Sequence, residues 1–165
     1  MCRLTRCRPG GDQIIGAHVN VNVSVNVSQS DPQDDEQGSA TTVYELIGGD
    51  APLRALVDRF YDLMDLDPAY PDLRHAHGSS LSDARDKLYW FLSGWMGGPN
   101  LYIERFGHPR LRARHLPFEI GIKERDQWLA CMAQAMAQLS VEPALAERLQ
   151  QAFFQTAGWM RNKGV

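Results

Sequence analysis

"GHPRLRARHLPFEIG", residues 107–121, sets two histidines around three arginines and runs out through His-Leu-Pro-Phe. If the whole stretch were one helix, His108 and His115 would share a face, since seven residues is nearly two turns. They would still stand about 10 Å apart along the axis, at roughly 1.5 Å per residue, which is too far for one small ion. Pro109 also opposes a helix at His108, because the residue before a proline is pushed to extended angles. The two histidines therefore do different jobs. Leu111 precedes His115 by one helical turn and shares its face. Pro117 stops that helix just afterwards and leaves the imidazole near an unsatisfied helix end. An imidazole so placed can donate one N–H to a backbone carbonyl, which fixes the tautomer that a metal ligand needs.

Outward from this stretch, the chain is helical in period from residue 41 onward. "TTVYELIGG" opens with Thr42, has Glu45 three residues on in capping-box spacing, and stops at Gly48-Gly49. Asp50 is placed to cap the next helix, whose apolar stripe is Leu53, Leu56, Val57, Phe60, Leu63 and Met64. "DLDPAYPDLRHAHGSS" breaks that helix with two prolines. A third helix is expected from near Ser80, burying Leu81, Ala84, Leu88, Phe91, Leu92 and Trp95, and ending at Gly97–Pro99. A long irregular connection then leads into the opening motif. Two more helices are expected over about 122–140 and 143–161. Their stripes are Trp128, Met132, Met136 and Leu139, then Leu145, Leu149, Ala152, Phe153 and Thr156. No strand signal competes, so the class is all-α.

Residues 1–40 read differently. "HVNVNVSVNVSQSDPQDDEQGSA" alternates valine with asparagine or serine and then turns acidic and polar. A lone strand has no stability of its own, so the segment is expected to be a disordered extension, with a tail that binds a partner or metal around Cys2 and Cys7 as the alternative. The domain proper is 41–165.

The bulk properties exclude several classes. With 44% apolar residues and a net charge of −3, the chain predicts one globular domain with a real core and no nucleic-acid partner. No apolar run approaches a membrane span, and the basic start "MCRLTRCRPGG" lacks the apolar stretch of a secretion signal. Three widely spaced cysteines, Cys2, Cys7 and Cys131, point to a reducing cytoplasm without a disulfide framework.

The stretch "GGPNLYIERFGHPRLRARHLPFEIG" (97–121) resembles the signature of group II truncated haemoglobins, short bacterial and plant globins built as a two-over-two helical sandwich around haem. The likeness covers about 42–162 and includes "RFYDLM" (59–64) and "ERDQWLACM" (124–132). It implies that His115 is the proximal ligand of a haem iron, and that His108 is a structural histidine in the bend before it. On the distal side it implies Tyr61, Trp128 and a third residue in the corner after the second helix. His77 fills that third position after a one-residue adjustment, with His75 or Tyr70 as alternatives. Ala84 takes the position where vertebrate globins place a distal histidine, and its small side chain leaves a side opening. Lys87 is implied to pair a haem propionate, and Leu88, Phe91, Trp95, Tyr102 and Leu111 to touch the haem. Of Arg110, Arg112 and Arg114, one is expected at the second propionate, with Arg114 the choice.

The resemblance implies haem b and iron. No Cys-x-x-Cys-His is present, so the haem would be held without covalent links. The expected function is reversible binding of dioxygen and other diatomic ligands. Distal donors would also polarise a peroxide. The alternative is therefore a haem enzyme of nitric oxide dioxygenation or peroxide turnover, re-reduced by an external reductase.

Overall fold

The helical domain starts at Thr42. Its hydroxyl accepts the Glu45 N–H at 3.2 Å while the Glu45 carboxylate takes the Thr42 N–H at 2.9 Å, the reciprocal box that the spacing predicts. The computed structural model describes residues 40–164, so the extension expected before residue 40, with Cys2 and Cys7, lies outside the described residues. Eight helices follow in order: α1 (Val43–Leu46), α2 (Asp50–Leu66), α3 (Pro71–His75), α4 (Ser82–Trp95), α5 (Leu101–Phe106), α6 (Leu111–His115), α7 (Ile122–Gln138) and α8 (Pro143–Met160). Among the described residues there is no strand.

The four long helices make the sandwich. α2 packs on α4 and on α7, and α7 packs on α8. Their shared interior is filled by Leu53, Leu56, Val57, Phe60, Met64, Leu92, Cys131, Met132 and Met136, all essentially removed from solvent. Each large apolar side chain buried in this way contributes about 1.5–3 kcal/mol relative to exposure. α1 lies across the end of α4, where the Tyr44 N–H donates to the Met96 carbonyl at 2.9 Å. Glycine at 98 permits that approach, because a Cβ there would come within 2.5 Å of the Tyr44 ring.

The structure corrects four expectations. Asp50 is the first residue of α2 and does not cap it; the cap position is Gly49, at φ 81, and the Asp50 carboxylate accepts the Tyr89 hydroxyl instead. The proline-broken stretch after α2 contains α3, because Pro71 sits at the first helical position, where its missing N–H costs nothing. α3 then docks on α7 through Gln127, whose side chain accepts the Leu73 N–H at 2.9 Å and donates to Asp72 at 2.7 Å. The connection expected to be irregular carries α5. Leu139 is exposed, since α7 ends at Gln138 and the helical phase no longer governs it. No helix among the described residues is long and apolar enough to cross a membrane.

Candidate functional site

The stretch 107–121 resolves into a turn and a single-turn helix. Gly107, at φ 70, ends α5, and Arg110 stands in the left-handed region at φ 44, ψ 47. His108 serves that turn: it is exposed, and its Nδ1 accepts the Arg110 N–H at 3.1 Å. His115, half-buried, ends α6. Its Nδ1 lies 2.7 Å from the carbonyl of Leu111, one turn back. A carbonyl only accepts, so Nδ1 carries the hydrogen and, in the neutral ring, Nε2 presents a bare lone pair.

The segment around His115 is fastened from the far end of the domain. Asn162 Nδ2 donates to the carbonyls of His115 at 3.0 Å and Phe118 at 2.7 Å. The Ile120 N–H returns to Asn162 Oδ1 at 3.0 Å. Arg112 donates to the carbonyls of Trp159 and Arg161.

Three other elements gather Tyr61, Trp128 and His77. Tyr61, on α2, is 4% exposed; its ring meets Phe60 edge-on at 5.1 Å and His77 edge-on at 6.0 Å. Trp128, on α7, leans on the other side of the same Phe60 at 5.3 Å. Of these three side chains only His77 makes a hydrogen bond among the described residues, through Nδ1 to the Leu73 carbonyl. Burial pushes the Tyr61 phenol far above its ordinary pKa, and the Arg85 cation opposes this only in part. Tyr61 therefore keeps its proton and remains a donor.

His77 repeats the geometry of His115. Its Nδ1 donates to the Leu73 carbonyl at 2.9 Å. Burial lowers its pKa; the bond to Leu73 works the other way, and the charges of Arg74 and His115 lower it further. The neutral ring then offers Nε2 as an acceptor, not as the donor that a third distal residue was expected to be. The two alternatives for that position are engaged elsewhere: the Tyr70 hydroxyl donates to Gln134, and His75 is exposed on α3.

From Trp128 runs a wall of rings. Trp128 and Phe153 lie 5.3 Å apart, Phe153 stacks on Trp95 at 5.1 Å, and Trp95, Phe91 and Tyr102 continue at 6.5 and 6.4 Å. Leu88, Phe91, Trp95 and Trp128 are only half-buried although they pack on the core, and Ala84 and Leu111 are likewise half-buried. Large apolar side chains left so open invite a flat apolar partner that completes their burial. Lys87 and Arg114 are exposed and make no ion pair among the described residues; the Arg114 guanidinium lies 5.8 Å from the Tyr102 ring centre. No three His, Cys, Asp or Glu side chains gather as a metal cage among the described residues. A half-buried imidazole with a bare Nε2, in a domain with half-open apolar rings, suits the axial ligand of a planar metal macrocycle, and the exposed cations of Lys87 and Arg114 suit its carboxylates. The residues present fit haem.

Sequence reasoning missed Arg85 and Asn162, and had Phe153 only as part of the apolar stripe of the last helix. Asp58 and Asp62, one helical turn apart around Tyr61, were the available signal for the first. Cys131 has no part in the site. Its thiol donates to the Phe60 carbonyl at 3.3 Å, and burial, with the Asp67 charge adding, pushes its pKa up to about 12.

Residues 42–162 match the family model described as bacterial-like globin. The chain is 41% identical over 120 residues to the group 2 truncated hemoglobin of Bacillus subtilis, covering 73% of this chain and 88% of that protein. It is similar to the group II 2-on-2 hemoglobin of Agrobacterium tumefaciens at 42% identity and TM-score 0.73, over 78% of this chain and all of that one. It is also similar to a truncated oxygen-avid haemoglobin of Bacillus subtilis, at 39% identity and TM-score 0.68, over 74% of this chain and 100% of the other.

Proposed function

Because the chain belongs to the bacterial-like globin family, we propose that it is a haem protein that binds dioxygen and other diatomic ligands reversibly, with His115 holding the iron and Tyr61, Trp128 and His77 facing the ligand. The haem is haem b, held without covalent links. When bound, its ferrous iron supplies a coordination position for a diatomic gas and shifts electron density onto it.

The chain's own residues do the rest. His115 offers Nε2 because Leu111 holds its other nitrogen, a bond that also fixes the ring's rotation. Leu88, Phe91, Trp95, Tyr102, Leu111 and Ala84 would touch the macrocycle, and Lys87 and Arg114 would pair its carboxylates. Tyr61 and Trp128 donate to a ligand that gathers negative charge. His77, held by Leu73, stands at the remaining edge, where its bare Nε2 has no hydrogen to give the ligand. The observation that carries this reading is the half-buried His115 imidazole, whose Nδ1 is held by the Leu111 carbonyl so that Nε2 is left bare, in a domain that also buries the Tyr61 phenol.

The absorption spectrum of the purified full chain is the first test. His115→Ala is expected to abolish the normal haem spectrum, with added imidazole restoring part of it. His108→Ala should keep the five-coordinate ferrous spectrum. The reverse pattern would overturn the assignment, and sustained turnover of nitric oxide or peroxide with an electron donor would replace reversible binding by catalysis.

A further inference from the structure

The Tyr61 hydroxyl is useful only if its ring is held still, and one cation is built against that ring. Arg85, on α4 beside Ala84, reaches across to α2. Its Nη1 donates to the Asp58 carboxylate at 3.1 Å and to the Asp58 carbonyl at 3.2 Å, and its Nη2 donates to Asp62 at 2.7 Å. Asp58 and Asp62 are one turn apart and bracket Tyr61 in sequence. The guanidinium carbon stands 5.8 Å from the centre of the Tyr61 ring, while Phe60 and His77 meet that ring edge-on. The Arg85, Asp58 and Asp62 side chains are 28%, 41% and 45% exposed, so these ion pairs add little to stability. What they add is position, since a planar fork held at two carboxylates has one arrangement.

We propose that Arg85 is a positioning residue for Tyr61: clamped by Asp58 and Asp62, its guanidinium fixes the phenol ring so that the hydroxyl stays aimed at the ligand. This rests on Tyr61 acting as a distal donor. A second clamp on the same two helices supplies the control. Arg54 pairs with Asp86 at 2.9 Å and lies 4.6 Å from the ring centre of Tyr89, away from the site.

Stopped-flow release rates in the full-length haem-loaded protein test the proposal. Arg85→Gln should speed dioxygen release about three- to tenfold and carbon monoxide release less than about twofold, with Arg85→Lys between parent and glutamine. Arg54→Gln should leave both gases at the parent rate. In a Tyr61→Phe background, Arg85→Gln should add no further acceleration. Should Arg85→Gln fail to hold haem, Asp58→Asn with Asp62→Asn releases the clamp while keeping the cation, and the same split between gases is expected. A readout apart from ligand release is the flip rate of the Tyr61 ring by NMR in the carbon monoxide form, which should rise in the Arg85 and Asp variants and not in Arg54→Gln. Equal acceleration with Tyr61 absent, or the same effect from Arg54→Gln, would overturn the proposal. If Tyr61→Phe alone leaves dioxygen release unchanged, the donor reading falls and the positioning role falls with it; a faster ring flip in the Arg85 variants would then show that the clamp itself was read correctly.

Discussion

A hydrogen bond to a group carrying charge is worth about 1.5–3 kcal/mol, and 1.4 kcal/mol is about a factor of ten. Replacing Tyr61 or Trp128 by phenylalanine, which keeps the ring and deletes the polar handle, should therefore speed dioxygen release roughly ten- to a hundredfold. Carbon monoxide accepts hydrogen bonds weakly and its release should change much less. The double variant should fall short of the product of the singles, because two donors on one acceptor are coupled. Stopped-flow measurement on both gases checks this, and equal acceleration of the two would mean that the side chains gate access. His77→Phe should have the smaller effect, since Leu73 leaves its neutral ring no hydrogen to give. At this scale the sequence was uneven evidence. His115, Tyr61 and Trp128 stand inside motifs, and it is the family resemblance carried by those motifs that names them. The choice among His77, His75 and Tyr70 could not be made that way, because a turn of one residue more or less exchanges them. The Tyr70–Gln134 bond and the approach of His77 to Tyr61 favour His77 in the proposed site. Arg85 was invisible for a related reason: its meaning depends on Asp58 and Asp62, 27 and 23 residues back.

Helix ends decide how the elements are held, and α8 has the best-made one. The Glu142 carboxylate accepts the N–H groups of Ala144 and Leu145 at 3.0 and 2.7 Å. These two bonds hold its carboxyl below the usual range, and the nearby Arg148 charge adds to them. A depressed carboxylate pKa stabilises the fold above the unfolded value, and that stability is lost as pH falls through the folded value. Glu142→Ala should thus lower the thermal midpoint at neutral pH, and the gap from the parent should close as pH falls through the depressed folded value and the carboxylate takes up its proton. A gap that stays constant with pH would mean that charge has no part in the cap. The long helices were legible because their apolar stripes repeat over several turns, and the Thr42–Glu45 box was legible because both partners lie within one turn. α3 and α5 were not, at five and six residues. Segments so short show no full period, and each follows a proline that signals a break as readily as a start. What makes them helices is docking, α3 on α7 through Gln127 and α5 on α4. That is long-range information.

As a whole, the domain keeps its site inside 43–162. The wall of rings, the clamp at Arg85 and the ties around His115 all lie within that span, and α1 carries its own cap at Thr42. A chain starting at residue 41 should therefore take up haem as the full chain does and melt at nearly the same temperature. Loss of haem uptake or a large fall in the midpoint would make the first forty residues part of the fold. The all-α class was readable from the amphipathic stripes, whereas the two-over-two arrangement came from the family resemblance. What the stripes did not show is who holds the proximal segment. That task falls to Arg112 reaching Trp159 and Arg161, and to Asn162 reaching His115, Phe118 and Ile120. Proteins are made from the N-terminus, so a nascent chain on the ribosome has α2 with Tyr61 and α4 with Phe91 and Trp95 long before residue 162 emerges. The His115 segment stays without its Asn162 ties until nearly all of the domain has been translated, and a chain cut short before Asn162 lacks that strap.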